Sequence, residues 1–179
     1  MNDSVLAERK KSKFRDRAKV LARREKDETA GGETIGAVEF RLAGEKYAIA
    51  SEYVREVLPL KGVATIPCTP PWVLGVINVR GQILSVIDLR VLFELPREAA
   101  TRTARIIVLR ADEMELGIVA DAVTGARTIA IDRVQAGLPT LTGIRAAYLS
   151  GVAGEDLVLL DAAKLLADKA LLVNEEVTE

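Results

Sequence analysis

The chain contains no histidine and a single cysteine, Cys68, among its 179 residues. The missing histidine removes the commonest general base and the commonest transition-metal ligand, so Ser-His and Cys-His nucleophilic arrangements cannot be assembled. The lone cysteine excludes an internal disulfide and a cysteine-based metal cluster. Such a thiol fits a reducing compartment at least as well as export. Cys68 has no basic neighbour in sequence to activate it and reads as a small loop residue. The glycines Gly31, Gly32, Gly75 and Gly81 are too scattered for a nucleotide-binding fingerprint. Neither sign of charge dominates: 25 Lys and Arg stand against 26 Asp and Glu, which does not suggest a chain-wide nucleic-acid binder. Residues 63–79 carry no charge, but Pro67, Pro70 and Pro71 break them, and a spanning helix needs roughly 20 mostly apolar residues. The charged N-terminus has no apolar core of a secretory signal. These absences predict a cytoplasmic protein with no catalytic residue, no metal and no cofactor.

What is present is unevenly distributed. Residues 1–29 hold ten basic and six acidic side chains, a net of +4, and the remainder nets -5. Residues 5–28 lack Gly and Pro and are rich in helix formers, with Phe14, Ala18 and Leu21 on one helical face. A basic, helical N-terminal extension over residues 1–33 is therefore expected, ending at the Gly31-Gly32 joint. Its stripe is thin, and charge runs are usually solvated. A nucleic-acid-binding arm is the alternative, weakened by the presence of one aromatic, Phe14, for base stacking.

From Ala37 the period changes to two. Val38, Phe40 and Leu42 alternate with polar neighbours, Ala43-Gly44-Glu45 turns the chain, and Tyr47 and Ile49 resume the alternation. Further short strands are expected at 54–60, 74–79, 83–87, 105–109, 116–119, 128–131, 148–152 and 157–160. A closing helix over 161–172 carries Leu165 and Leu166 on its apolar face. Nine or ten short strands with few helices predict an all-β architecture. The polar connector after Pro96 divides it into two packed five-stranded barrels, about 36–95 and about 103–160, with a tail at 174–179.

Four carboxylates end apolar runs: Asp88, Asp121, Asp132 and Asp161. They can be read as a hard-metal or acid–base site. Helix capping is favoured instead. Asp161 opens the closing helix, Asp88 precedes a possible short helix at 89–93, and Asp132 stands three residues before Gln135 in capping-box spacing.

The segment Gly75-Val76-Ile77-Asn78-Val79-Arg80-Gly81 leads through an apolar strand to Asp88-Leu89. Periodicity puts Val76, Asn78 and Arg80 on one face and Gly75, Ile77 and Val79 on the other. A guanidinium at that strand end either caps the hairpin or makes directed hydrogen bonds to a partner. The segment resembles the signature of the CheW-like family, Gly-x-x-Asn-Leu-Arg-Gly followed by an apolar strand and Asp-Leu. Val79 stands in place of the usual Leu, and Ser85 in place of a common Pro. Three further stretches are similar in order: Tyr47-Ala48-Ile49 through Val54-Arg55-Glu56-Val57, the run from Leu116 to Val123, and Tyr148 to Val152 with the residues up to Leu166. Together they place a CheW-like domain at about 34–173.

The resemblance implies that the two barrels are Src-homology-3-like and that the protein has partners rather than substrates. Those partners are the regulatory domain of a CheA-type histidine kinase and the helical hairpin tip of a chemoreceptor, received in the groove between barrels. Mapped by motif, Arg80, with Glu56 and Asn78, is expected to face the receptor. The apolar positions Val54, Val57, Gly75, Ile77 and Val79 are expected to dock the kinase. There is no room for an ATPase or receiver domain, so an adaptor at receptor arrays is expected. The alternative within the family is a scaffold of a non-flagellar chemosensory pathway that controls motility, development or gene expression.

Overall fold

The computed structural model describes residues 32–96, 102–136 and 143–171. From Thr34 onward the described residues form one compact unit. The expected helical extension and the expected tail both lie outside the described residues.

β1 (Thr34–Leu42) and β2 (Glu45–Ala50) form the hairpin that the alternation predicts. Ala43 and Gly44 take φ of 48° and 80°, the paired positive values that match a tight turn to strand twist. The remaining strands are β3 (Val54–Pro59), β4 (Val73–Val79), β5 (Gln82–Ile87), β6 (Arg105–Ala111), β7 (Met114–Ala120), β8 (Ala122–Ala130), β9 (Val134–Gln135), β10 (Leu149–Ala153) and β11 (Leu157–Leu160). Three short helices interrupt them: α1 (Leu89–Leu92), α2 (Ile144–Ala147) and α3 (Ala162–Ala167).

The strands form two sheets, ordered β8-β1-β2-β11-β10-β9 and β3-β6-β7-β5-β4. This corrects the division near residue 100. The five-stranded sheet uses one continuous stretch, 54–120, and the six-stranded sheet combines 34–50 with 122–160. The cause is two parallel pairings. Lys46–Ile49 of β2 align with Leu157–Leu160 of β11, and Val86 and Ile87 of β5 align with Gly117 and Ile118 of β7. Parallel neighbours need a long crossover, so the hairpins visible in sequence pair with hairpins far away along the chain.

The two sheets repeat one plan. Gly75 of β4 and Gly151 of β10 each follow a register shift and take φ of 146° and 157°. Asp88 N–H donates to Trp72 O at 2.7 Å, and Asp161 N–H donates to Tyr148 O at 2.9 Å. Each aspartate then caps the helix that follows, through Arg90 N at 3.0 Å and Lys164 N at 3.0 Å.

Strands β6 and β11 are buried on both faces, which is why they read as unbroken apolar runs. Ile107 and Leu109 join Phe40, Tyr47, Leu116 and Leu165 in a core shared by both sheets. Ile106 and Val108 turn instead to the interior of the five-stranded sheet, with Ile77, Val79 and Val86. Leu157 and Leu159 line the interior of the other, with Ala37 and Ile129.

Two local expectations are corrected. The closing helix stops at Ala167, not 172, because Asp168 adopts extended backbone angles. Its carboxylate accepts hydrogen bonds from Ala170 N and from the Tyr148 hydroxyl. Burial, reinforced by Asp168, pushes the Tyr148 phenol up to about 12, so Tyr148 remains a neutral donor at physiological pH. A raised phenol contributes stability that is complete below its unfolded value, near 10, and lost as pH climbs toward 12. Asp132 forms no capping box. It lies inside the 3-10 turn Ile131–Arg133, which has no side-chain cap, and Gln135 enters β9.

The Asp161 cap yields a modest prediction. Asp161→Ala should cost about 1 kcal/mol, roughly 3 °C in Tm, by leaving the Lys164 amide without its acceptor. A thermal melt checks it.

Candidate interaction surface

The site grows from the β4–β5 hairpin. Val79 pairs with Gln82, leaving Arg80 and Gly81 as a two-residue turn at φ of 53° and 89°. Asn78 Oδ1 accepts the Gly81 N–H at 2.8 Å and fixes the turn. Asn78 is thus exposed but locally engaged. The turn presents Arg80 with its side chain 75% exposed, and its Nη2 lies 3.3 Å from Glu56 Oε2 on β3. The structure therefore brings Arg80, Glu56 and Asn78 into one neighbourhood. With the Arg80 side of the pair in solvent, the contact contributes little stability, so the guanidinium is available to orient a partner.

The apolar positions divide. Val57 is 39% exposed and Val54 is half-buried. Ile77 and Val79 are each 5% exposed, inside the five-stranded sheet, and Gly75 is buried against Ala64. Gly75, Ile77 and Val79 are consequently removed from the expected docking surface. Alternation separated the two faces of β4 correctly, but the apolar face turns inward.

Sequence reasoning missed the surroundings. Arg55 Nη1 donates to both Glu115 oxygens, at 2.5 and 2.7 Å, and to Gln82 Oε1 at 3.1 Å. Ile83, beside the turn, is 63% exposed. Next to these residues runs a groove of about 1240 Å³, floored by Leu84, Met114, Leu166 and Ala167 between the five-stranded sheet and α3. Arg55 and Glu115 are 60 positions apart, and no short-range pattern signals such a pair.

Asp88 and Asp121 are committed to a buried ion cluster. Arg90 holds Asp88 through Nε at 2.9 Å and Nη2 at 2.8 Å, and holds Asp121 through Nη1 at 2.6 Å. Hydrogen bonds to Asp88 raise Arg90 above its ordinary value, against the opposing effect of burial. Asp121 also accepts the Ala43 N–H at 2.7 Å, so the cluster ties the β1–β2 turn to α1. Among the described residues, no group of three or more His, Cys, Asp or Glu is placed to hold a metal ion, and no helix is long and apolar enough to cross a membrane.

Two β-sheets joined by parallel pairings make a small all-β domain, and its charged hairpin tip beside an apolar-floored groove suits recognition of another protein. Residues 36–170 match the CheW-like domain, so the chain belongs to the CheW family. It is 32% identical over 147 residues to the chemotaxis protein CheW of Treponema pallidum, covering 78% of this chain and 86% of that one. It is 35% identical over 134 residues to protein FrzA of Myxococcus xanthus, covering 71% and 82%. The crystal structure of the scaffolding protein TtCheW from Thermoanaerobacter tengcongensis superposes with a TM-score of 0.66 at 29% identity, covering 74% and 87%. The chain is an adaptor of chemotaxis-like signal transduction, coupling chemoreceptors to a histidine kinase.

Proposed function

We propose that this adaptor works in the cytoplasm without chemistry of its own, through two surfaces. The Arg80–Glu56 tip and the adjoining groove receive the helical hairpin tip of a chemoreceptor. The exposed edge around Val57 and Val54 docks the regulatory domain of a CheA-type kinase. Apolar anchors supply affinity, and the two charges fix orientation. Receptor conformation then biases the kinase by coupling two binding equilibria.

The observation that carries this reading is the placement of Arg80. Its backbone is in a left-handed conformation that a non-glycine residue adopts at some cost. Asn78 locks the turn beneath it, and most of the guanidinium remains in solvent. A strained, rigid mount for an exposed cation is costly for stability and useful for recognition.

The test is binding to the kinase regulatory domain and to a soluble cytoplasmic receptor fragment from the same organism. Val57→Asp should weaken the kinase complex by about tenfold or more. Arg80→Asp should spare that complex and weaken receptor binding by at least about tenfold. Folded protein that binds neither partner would refute the reading.

A further inference from the structure

The Arg80–Glu56 pair is one end of a longer row of alternating charges. Glu56 Oε1 lies 3.5 Å from Arg55 Nε, Arg55 is held by Glu115, and Glu115 Oε1 lies 3.7 Å from Arg110 Nε. The row starts at the exposed hairpin tip, on Arg80, and ends at Arg110 in the wall of the groove.

Within this row the half-buried members set the direction of the exposed one. The Glu56 side chain is largely buried, and its Oε1 accepts no hydrogen bond among the described residues. Its counter-charge on that side is Arg55. The Arg55 guanidinium faces Glu56 with Nε while Nη1 reaches Glu115 and Gln82. A planar fork can divide itself between two carboxylates in this way, whereas a lysine ammonium would act as one point charge. Arg80 is long and solvated, and a free arginine side chain samples many rotamers. Glu56 is the group that limits that sampling.

We propose that Arg55, anchored by Glu115, is a positioning residue for the recognition surface. It holds Glu56 in the orientation that aims Arg80 and thereby joins the hairpin tip to the groove in one preorganised unit. The inference rests on the reading of Arg80 as receptor-facing.

A double-mutant cycle tests it, using the full chain and a soluble cytoplasmic chemoreceptor fragment from the same organism at fixed ionic strength. Arg80→Ala should weaken binding about tenfold and Arg55→Met about fivefold. Arg55→Met should add almost nothing in the Arg80→Ala background, because there is no longer a guanidinium to aim. A merely structural role would give the same fold-loss in both backgrounds, and that additivity would overturn the proposal. An effective Arg80→Ala beside a silent Arg55→Met would overturn it while leaving the receptor-facing reading intact. A silent Arg80→Ala would overturn both. If Arg55→Met does not fold, the near-isosteric Glu115→Gln runs the same cycle with the same expected non-additivity.

Discussion

Gly75→Ala should cost the domain about 4 kcal/mol. A Cβ at this position would lie 2.1 Å from the Ala64 carbonyl oxygen and 2.8 Å from its carbon, with Val63 Cγ1 at 3.0 Å. Both nearest atoms are backbone, so no rotamer change relieves the overlap. Nor can the segment around Ala64 withdraw freely. Ala64 N–H donates to Val76 O and Val76 N–H donates to Ala64 O, each at 2.8 Å, and separation would break both bonds. The backbone at φ of 146° is also strained for any residue with a Cβ. Strain of about 1–3 kcal/mol and two lost hydrogen bonds near 1 kcal/mol each total about 4 kcal/mol. That is a large share of the 5–15 kcal/mol typical of a domain. Gly151→Ala should behave similarly, because its Cβ would meet Gln135 O at 2.6 Å. Gly44→Ala is the control. Its Cβ would find nothing within 4 Å, so only the left-handed backbone costs, at about 1 kcal/mol. Urea denaturation of the three variants gives the ranking. If Gly75→Ala lost no more than Gly44→Ala, the close approach of β4 to the preceding loop would be wrong.

This glycine shows how far the sequence could be read. Its place in a family signature was visible, and so was its alternation with Ile77 and Val79. Alternation distinguishes two faces of a strand without saying which one meets the core, and here the face expected to dock the kinase turns inward. The strands with strong β-branched or alternating texture, β1, β4, β5 and β11, were legible because their hairpins and periods are local. Strand β8 was read only from Thr128, since residues 124–128 are exposed and carry no apolar alternation. The exchange of hairpins between sheets left no local trace, because β2 and β11 meet across more than a hundred residues. The Glu56–Arg80 contact came through resemblance. The Arg55–Glu115 pair behind it had neither pattern nor resemblance to announce it.

Arg90→Met should cost about 4 kcal/mol, the loss expected when one partner of a buried ion cluster is removed. The methionine fills part of the volume, so the cost falls mainly on the charges left behind. Asp88 and Asp121, with side chains 10% and 18% exposed, would keep their negative charge without the guanidinium that now meets three of their four oxygens. The two carboxylates would also repel each other once the arginine no longer stands between them. Asp88→Asn added to Arg90→Met should recover at least about 1 kcal/mol. It neutralises one stranded charge, and asparagine remains an effective cap for α1. Alone, Asp88→Asn should destabilise, because it weakens a satisfied pair. That reversal of sign between the two backgrounds separates ionic compensation from simple packing, and denaturant midpoints at constant slope measure it. A loss under about 1 kcal/mol for Arg90→Met would mean that water already screens the cluster. The consequence for function follows from what the cluster joins. Arg90 leaves α1, which ends the β4–β5 hairpin carrying Arg80, and Asp121 receives the turn of the β1–β2 hairpin in the other sheet. The groove beside Arg80 is walled by both sheets, with β5 and β7 on one side and Leu166 and Ala167 of α3, which follows β11, on the other, so its shape depends on that link. Arg90→Met should therefore weaken receptor control of the kinase at temperatures where each partner still binds.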